Sequence, residues 1–323
     1  MPHPDSPQQS LAAEQSPPNY IAHEQSPSHQ QMKAAVDAFA AGRYTEAMEL
    51  AQFLTARFPF HPFGWKLLGS IYAQTGRHAE ALVPLRMAGQ LLPPDAEVHK
   101  NLGIILNDLG QFHAALLSCR RALEIDPDSA DVHANLGSIF ISLGQLGDAA
   151  ANCRRALEID PDLAEAHNNL GDIFNALGQC DDAILSFRHA LEIRADFHSA
   201  AWNLGIALLS EGRYSEGWAC YERRISPGDK NSFIAPDLPF PRWSGESLEG
   251  KSLMLFPEQG AGDYIQFVRY ASLLKERGVA RLTVRCPVPL KDLLSTAAGV
   301  DEVITNAEPV PRHDYWSFPL SLP

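Results

Sequence analysis

Between Glu258 and Tyr270 the sequence reads EQGAGDYIQFVRY. The apolar run SLMLF precedes it, and Tyr264, Phe267, Val268, Ala271 and Leu274 follow at helical spacing, with Gly278 as a stop. A glycine-rich turn between a strand and a helix is where an α/β protein can hold a phosphate or do chemistry. Two such chemistries fail on residue type. A dinucleotide fingerprint needs Gly or Ala at the sixth place of GAGDYI, where Ile265 stands. The next strand also ends in Cys286–Pro287 rather than in an acidic residue for a ribose. A nucleotide P-loop needs Gly-Lys-Ser/Thr, which does not follow. Asp263 also fits a helix N-cap, worth about 1 kcal/mol, a role that needs no ligand.

The elements around this loop set what it could do. KSLMLF, RLTVRC and DEVIT read as short buried strands, and DYWSFPLSLP holds a fourth. Residues 264–277 and LKDLLSTA read as the helices between them. Alternating strands and helices predict a parallel, doubly wound sheet over residues 250–323, whose ligands would sit at the carboxyl ends of the strands.

The larger part of the chain is periodic. Glycines at 42, 76, 110, 144, 178 and 212 are 34 residues apart, and a second set at 69, 103, 137, 171 and 205 has the same step. Alanines follow at 47, 81, 115, 149 and 183, and prolines close units at 59, 93, 127 and 161. Each unit carries two apolar stripes of helical spacing, such as Leu102, Ile105, Leu106 and Leu109, then Ala115, Leu116, Cys119, Ala122 and Leu123. Period and punctuation resemble the tetratricopeptide repeat, most closely at Trp65, Leu68, Gly69, Tyr72, Ala81, Leu85 and Pro93. The resemblance implies an all-α superhelix, a solenoid of about six repeats over residues 30–231, with a concave groove for a protein or extended peptide partner.

Two places before the first-helix glycine stand Asn101, Asn135, Asn169 and Asn203. Asparagine is a mediocre helix former, so its return needs a reason. The series resembles the ladder in O-linked N-acetylglucosamine transferases, whose asparagines hold the backbone of an extended polypeptide. An amide both donates and accepts, so it can pair with any peptide group. Duplication of one unit explains the recurrence equally. His99, His133 and His167 recur where Trp65 stands, a packing position, and no metal is expected. Lys66 and Lys100 occupy a carboxylate-clamp position, but the clamp asparagine is replaced by Ser70, Ile104, Ser138 or Asp172.

The run Trp243-x-Gly245-Glu246-x-Leu248-x-Gly250-Lys251, followed by EQGAGDYIQFVRY, resembles a second group. These are bacterial proteins that join tetratricopeptide repeats to a glycosyltransferase-like domain related to the heptosyltransferases. The resemblance implies a type B fold of two Rossmann-like domains. It makes Asp263 the base that takes a proton from the acceptor hydroxyl, with Glu258, Gln259, Gly260 and Gly262 lining the substrate loop. In that fold the second domain holds most of the nucleotide-sugar donor. Residues 250–323 are too few for a complete nucleotide-fold domain. A partial Rossmann-like domain with little or no transfer activity of its own is therefore expected. The alternative is a glycosyltransferase, completed elsewhere, whose repeats choose the acceptor.

Composition bounds the rest. The chain has 323 residues, 45% apolar and 20% charged, room for about two domains. A formal charge of −13 argues against a nucleic-acid partner. No apolar run approaches the roughly 20 residues of a membrane span, and the N-terminus does not read as a secretory signal. Cys119, Cys153 and Cys220 fall on helical core positions, which fits reduced thiols in the cytoplasm. Residues 1–29, rich in Pro, Ser and Gln, read as a disordered tail, and the proline-rich residues 232–249 as a connector. No cofactor is expected.

Overall fold

The computed structural model describes residues 26–91, 94–225, 236–258 and 260–322. Nearly all of the expected tail, part of the connector, Pro93 and Gln259 lie outside the described residues. The chain divides into two compact units between Pro127 and Asp128.

Among its described residues the first unit is a run of six helices: α1 (His29–Ala40), α2 (Tyr44–Arg57), α3 (Pro62–Gln74), α4 (His78–Leu91), α5 (Ala96–Asp108) and α6 (Phe112–Ile125). Ser28 starts α1 with a full capping box, its hydroxyl accepting from the Gln31 N–H while Gln31 reaches back to the Ser28 N–H. Asp95 caps α5 by accepting from the N–H groups of Glu97 and Val98. The apolar stripe of α5 is buried at Val98, Leu102, Ile105 and Leu106, while Leu109 of the expected stripe is exposed beside the turn. That turn needs Gly110, whose φ of +71° would strain an L side chain.

The second unit continues with α7 (Ala130–Ser142), α8 (Leu146–Ile159), α9 (Ala164–Ala176), α10 (Cys180–Ile193), α11 (His198–Ser210) and α12 (Tyr214–Tyr221), which runs into a 3-10 turn at Glu222–Arg224. The two helices of each pair cross closely at glycine. A Cβ on Gly137 would lie 2.4 Å from Cys153 Sγ, and one on Gly171 2.4 Å from Phe187 Cε1. Proline is not required to end a second helix. Asp160, before Pro161, and Arg194, before Ala195, cap their helices with nearly the same extended backbone, at φ −132° and ψ 96° and 94°.

Four strands follow: β1 (Ser252–Leu255), β2 (Arg281–Cys286), β3 (Glu302–Thr305) and β4 (Tyr315–Ser317). They form one parallel sheet in the order β3-β2-β1-β4. Leu253 faces Leu282 and Leu255 faces Val284 in register, so both pairs point to one face. Helices α13 (Ala261–Phe267), α14 (Tyr270–Glu276) and α15 (Lys291–Leu294) are the crossover helices, and Tyr264, Val268, Ala271, Leu274 and Leu294 fill that face. The expected helix over 264–277 is interrupted by a tight step at Val268–Arg269.

Among the described residues the crossover helices cover one face of the sheet only. Its other face, Met254, Phe256, Ile304, Trp316 and Phe318, is covered by the connector through Phe240 and Leu238 and by Ile225 of the helical run. The connector also pairs along the outer edge of β4, with Trp243 donating to the Trp316 carbonyl at 2.8 Å and Trp316 to that of Pro241 at 3.1 Å. The outer edge of β4 is thus protected.

Candidate functional site

The asparagines divide by what their amides touch. On α9, Asn169 Nδ2 donates to the Ala134 carbonyl of α7 at 2.9 Å. On α11, Asn203 Nδ2 reaches back by the same 35 residues to α9, where Asn168 stands in place of alanine. It therefore donates to the Asn168 side-chain oxygen at 3.2 Å, and to Asp172 Oδ1 at 2.9 Å. Burial pushes the Asp172 carboxyl up to about 6 against the pull of the Asn168 amide. The half-buried amide of Asn135 on α7 has no hydrogen-bond partner among the described residues, nor has that of Asn101 on α5 in the first unit. Two of the four asparagines thus serve as inter-repeat ties that orient the amide, and two are left with full donor and acceptor capacity.

The loop after β1 is organised otherwise than its residue types suggest. Gly260, not Asp263, is the N-cap of α13, and Asp263 lies in the first turn. Tyr264 is buried and its hydroxyl donates to the Arg285 carbonyl at 2.7 Å, tying α13 to the carboxyl end of β2. Glu258 is turned into the protein. Its side chain is 1% exposed and paired with Arg224, itself 1% exposed, from the 3-10 turn that ends the helical run. Burial raises the Glu258 carboxyl despite that pairing. Arg224 also donates to Glu222 at 2.8 Å and to Ser321 Oγ at 3.1 Å, and Arg242 shares both acceptors. The crevice between the carboxyl ends of β1 and β4, where an open parallel sheet binds ligands, is filled by this network. No spacing in the sequence points to Arg224 or Ser321, which are 97 residues apart.

Tetratricopeptide-repeat models match residues 32–96 and 168–230, residues 96–129 and residues 137–178. These helix pairs are tetratricopeptide repeats. Protein FlbA of Caulobacter vibrioides is 33% identical over 129 residues, covering 34% of this chain and 21% of that protein. The chain thus spans about a fifth of the curated relative it matches. Among solved structures, PilW, a widely conserved type IV pilus biogenesis factor, is similar at 21% identity and a TM-score of 0.52, over 62% of this chain and 94% of PilW. The Cut9–Hcn1 hetero-tetramer of the APC/C is similar at 16% identity and a TM-score of 0.56, over 62% of this chain and 41% of the matched one. Both likenesses show the fold.

Within the repeats the recurring cations and imidazoles have local work. Trp65 Nε1 donates to the Pro59 carbonyl at 2.8 Å, and His167 Nε2 lies 3.0 Å from the equivalent Pro161 carbonyl. Lys66 pairs with Asp95 at 2.9 Å and Glu97 at 2.6 Å, at the start of the next repeat. Arg155 pairs with Asp128 and Glu158 on the exposed face. Burial pushes the Cys119 and Cys153 thiols up to about 12, which makes them packing residues rather than nucleophiles. Among the described residues no helix is long and apolar enough to cross a membrane.

Proposed function

We propose that the tetratricopeptide array is a scaffold for protein interactions that holds an extended polypeptide through Asn101, Asn135, Asn169 and Asn203. The observation that carries this reading is the state of their amides. Asn135 and Asn101 are half-buried with no internal partner, and Asn169 and Asn203 are fixed by the preceding repeat with their carbonyl oxygens unpaired among the described residues. Fixed amides in successive repeats suit the regular spacing of backbone groups in an extended chain. Selection of binders from a displayed random-peptide library tests it. A selected peptide should bind at least tenfold more weakly to Asn135→Ala, with the melting temperature unchanged. Undiminished binding to that variant would remove the asparagines from the site.

One observation favours a second role, for the loop after β1. A Cβ at Gly260 or Gly262 would meet nothing within 4 Å, and neither glycine has a positive φ. The fold does not require glycine there, whereas a ligand approaching the backbone would. The glycosyltransferase reading places an acceptor hydroxyl at this loop, Asp263 as its base, and a nucleotide sugar as donor. Glu258 is taken by Arg224 and is not assigned to it. Turnover of labelled nucleotide sugars that disappears in Asp263→Asn would establish that reading, and its absence would leave the scaffold.

A further inference from the structure

A cleft of about 660 Å3 lies in the second unit between α12 of the last repeat and α14 of the sheet. One wall carries Tyr214 and Trp218, one turn apart on α12. The other carries Arg269, Tyr270, Leu273 and Arg277. Arg269, Leu273 and Arg277 are four residues apart, so they share one face, with the two arginine backbone positions about 12 Å apart along the axis. Leu273 is exposed between them. Arg269 rests over the Tyr270 ring at 5.3 Å. Neither arginine has an ion-pair partner among the described residues, and no carboxylate lines the cleft, in a chain whose formal charge is −13.

We infer that this cleft is a second binding site, for an acidic peptide segment of a partner protein that carries an aromatic residue between two carboxylates. An extended segment advances about 3.3 Å per residue, so carboxylates four residues apart span about 13 Å and meet Arg269 and Arg277 together. The residue between them lies over Leu273, against the rings of Trp218 and Tyr214. The surplus negative charge elsewhere repels such a segment, which confines it to this cleft.

The probe is the fluorescein-labelled peptide Ser-Glu-Ser-Phe-Ser-Glu-Ser, followed by anisotropy on the full chain. Saturable binding should weaken at least tenfold in the double variant Arg269→Glu/Arg277→Glu, less in Arg269→Gln/Arg277→Gln, and severalfold in Tyr214→Ala. It should weaken with added salt and be unchanged in Asn135→Ala, which separates this site from the asparagine ladder. Circular dichroism must show native helix content in each variant. Absence of saturable binding, or binding indifferent to charge reversal, overturns the inference. Displacement of the peptide by uridine diphosphate or inorganic phosphate at equal concentration overturns it in favour of a phosphate site.

Discussion

Asp172 shows how one residue can retune a repeat. Other units have Ser70, Ile104 or Ser138 at its position, and here a half-buried carboxylate takes hydrogen bonds from Asn203 at 2.9 Å and Asn168 at 3.3 Å. With its carboxyl pushed up to about 6, the folded state between about pH 4 and 6 holds a proton that the unfolded chain has released. The contribution of Asp172 to stability is therefore greatest at low pH and is lost as pH rises through 6, by on the order of 3 kcal/mol. Asp172→Asn keeps an acceptor for Asn203 and removes the charge. Its denaturant midpoint should exceed that of the parent at pH 8 and match it near pH 4. Asn203→Ala should lose about 1 kcal/mol, whereas Asn135→Ala should lose nothing measurable by the same titration. The period of the asparagines was legible in the sequence. Their partners were not, because these depend on what stands 35 residues earlier on a neighbouring helix.

At the scale of elements, the glycines two places after the asparagines are set by the helix crossing. A Cβ on Gly103 would lie 2.4 Å from Cys119 Sγ, a side-chain atom that can be removed. On Gly205 it would lie 2.7 Å from the backbone N of Tyr221, which cannot yield in the same way. Gly103→Ala should cost about 1–3 kcal/mol, and added Cys119→Ala should recover part of it. Gly205→Ala should cost more and show no rescue by a side-chain change at Tyr221, as measured by thermal melts. Strand and helix positions were readable from alternation and helical spacing: Tyr264, Phe267, Val268, Ala271 and Leu274 are all buried. The cover on the second face was not, because the residues that supply it, Leu238 and Phe240, lie in a segment with no period.

In the molecule as a whole, the second unit joins helices to sheet through charges that neither part shows in sequence. Arg224 and Glu258 are both 1% exposed; without Arg224 the Glu258 carboxylate would be a buried lone charge, whereas Arg224 without Glu258 would keep Glu222. Arg224→Met alone should cost about 3–5 kcal/mol, and the double variant Arg224→Met/Glu258→Leu considerably less. Melting curves of the singles and the double would decide it, and equal losses in all three would refute the pairing. This junction also accounts for Glu258, which the sequence alone offered as a substrate contact and which pairs with Arg224 instead.

If first-helix asparagines hold the backbone of a bound polypeptide, their side-chain amides must respond to it. Side-chain amide spectra of the full chain, labelled with nitrogen-15 at asparagine only, test it with a selected peptide. The Asn101 and Asn135 amide signals should shift and saturate with the peptide. A saturated complex in which both stay in place would contradict it.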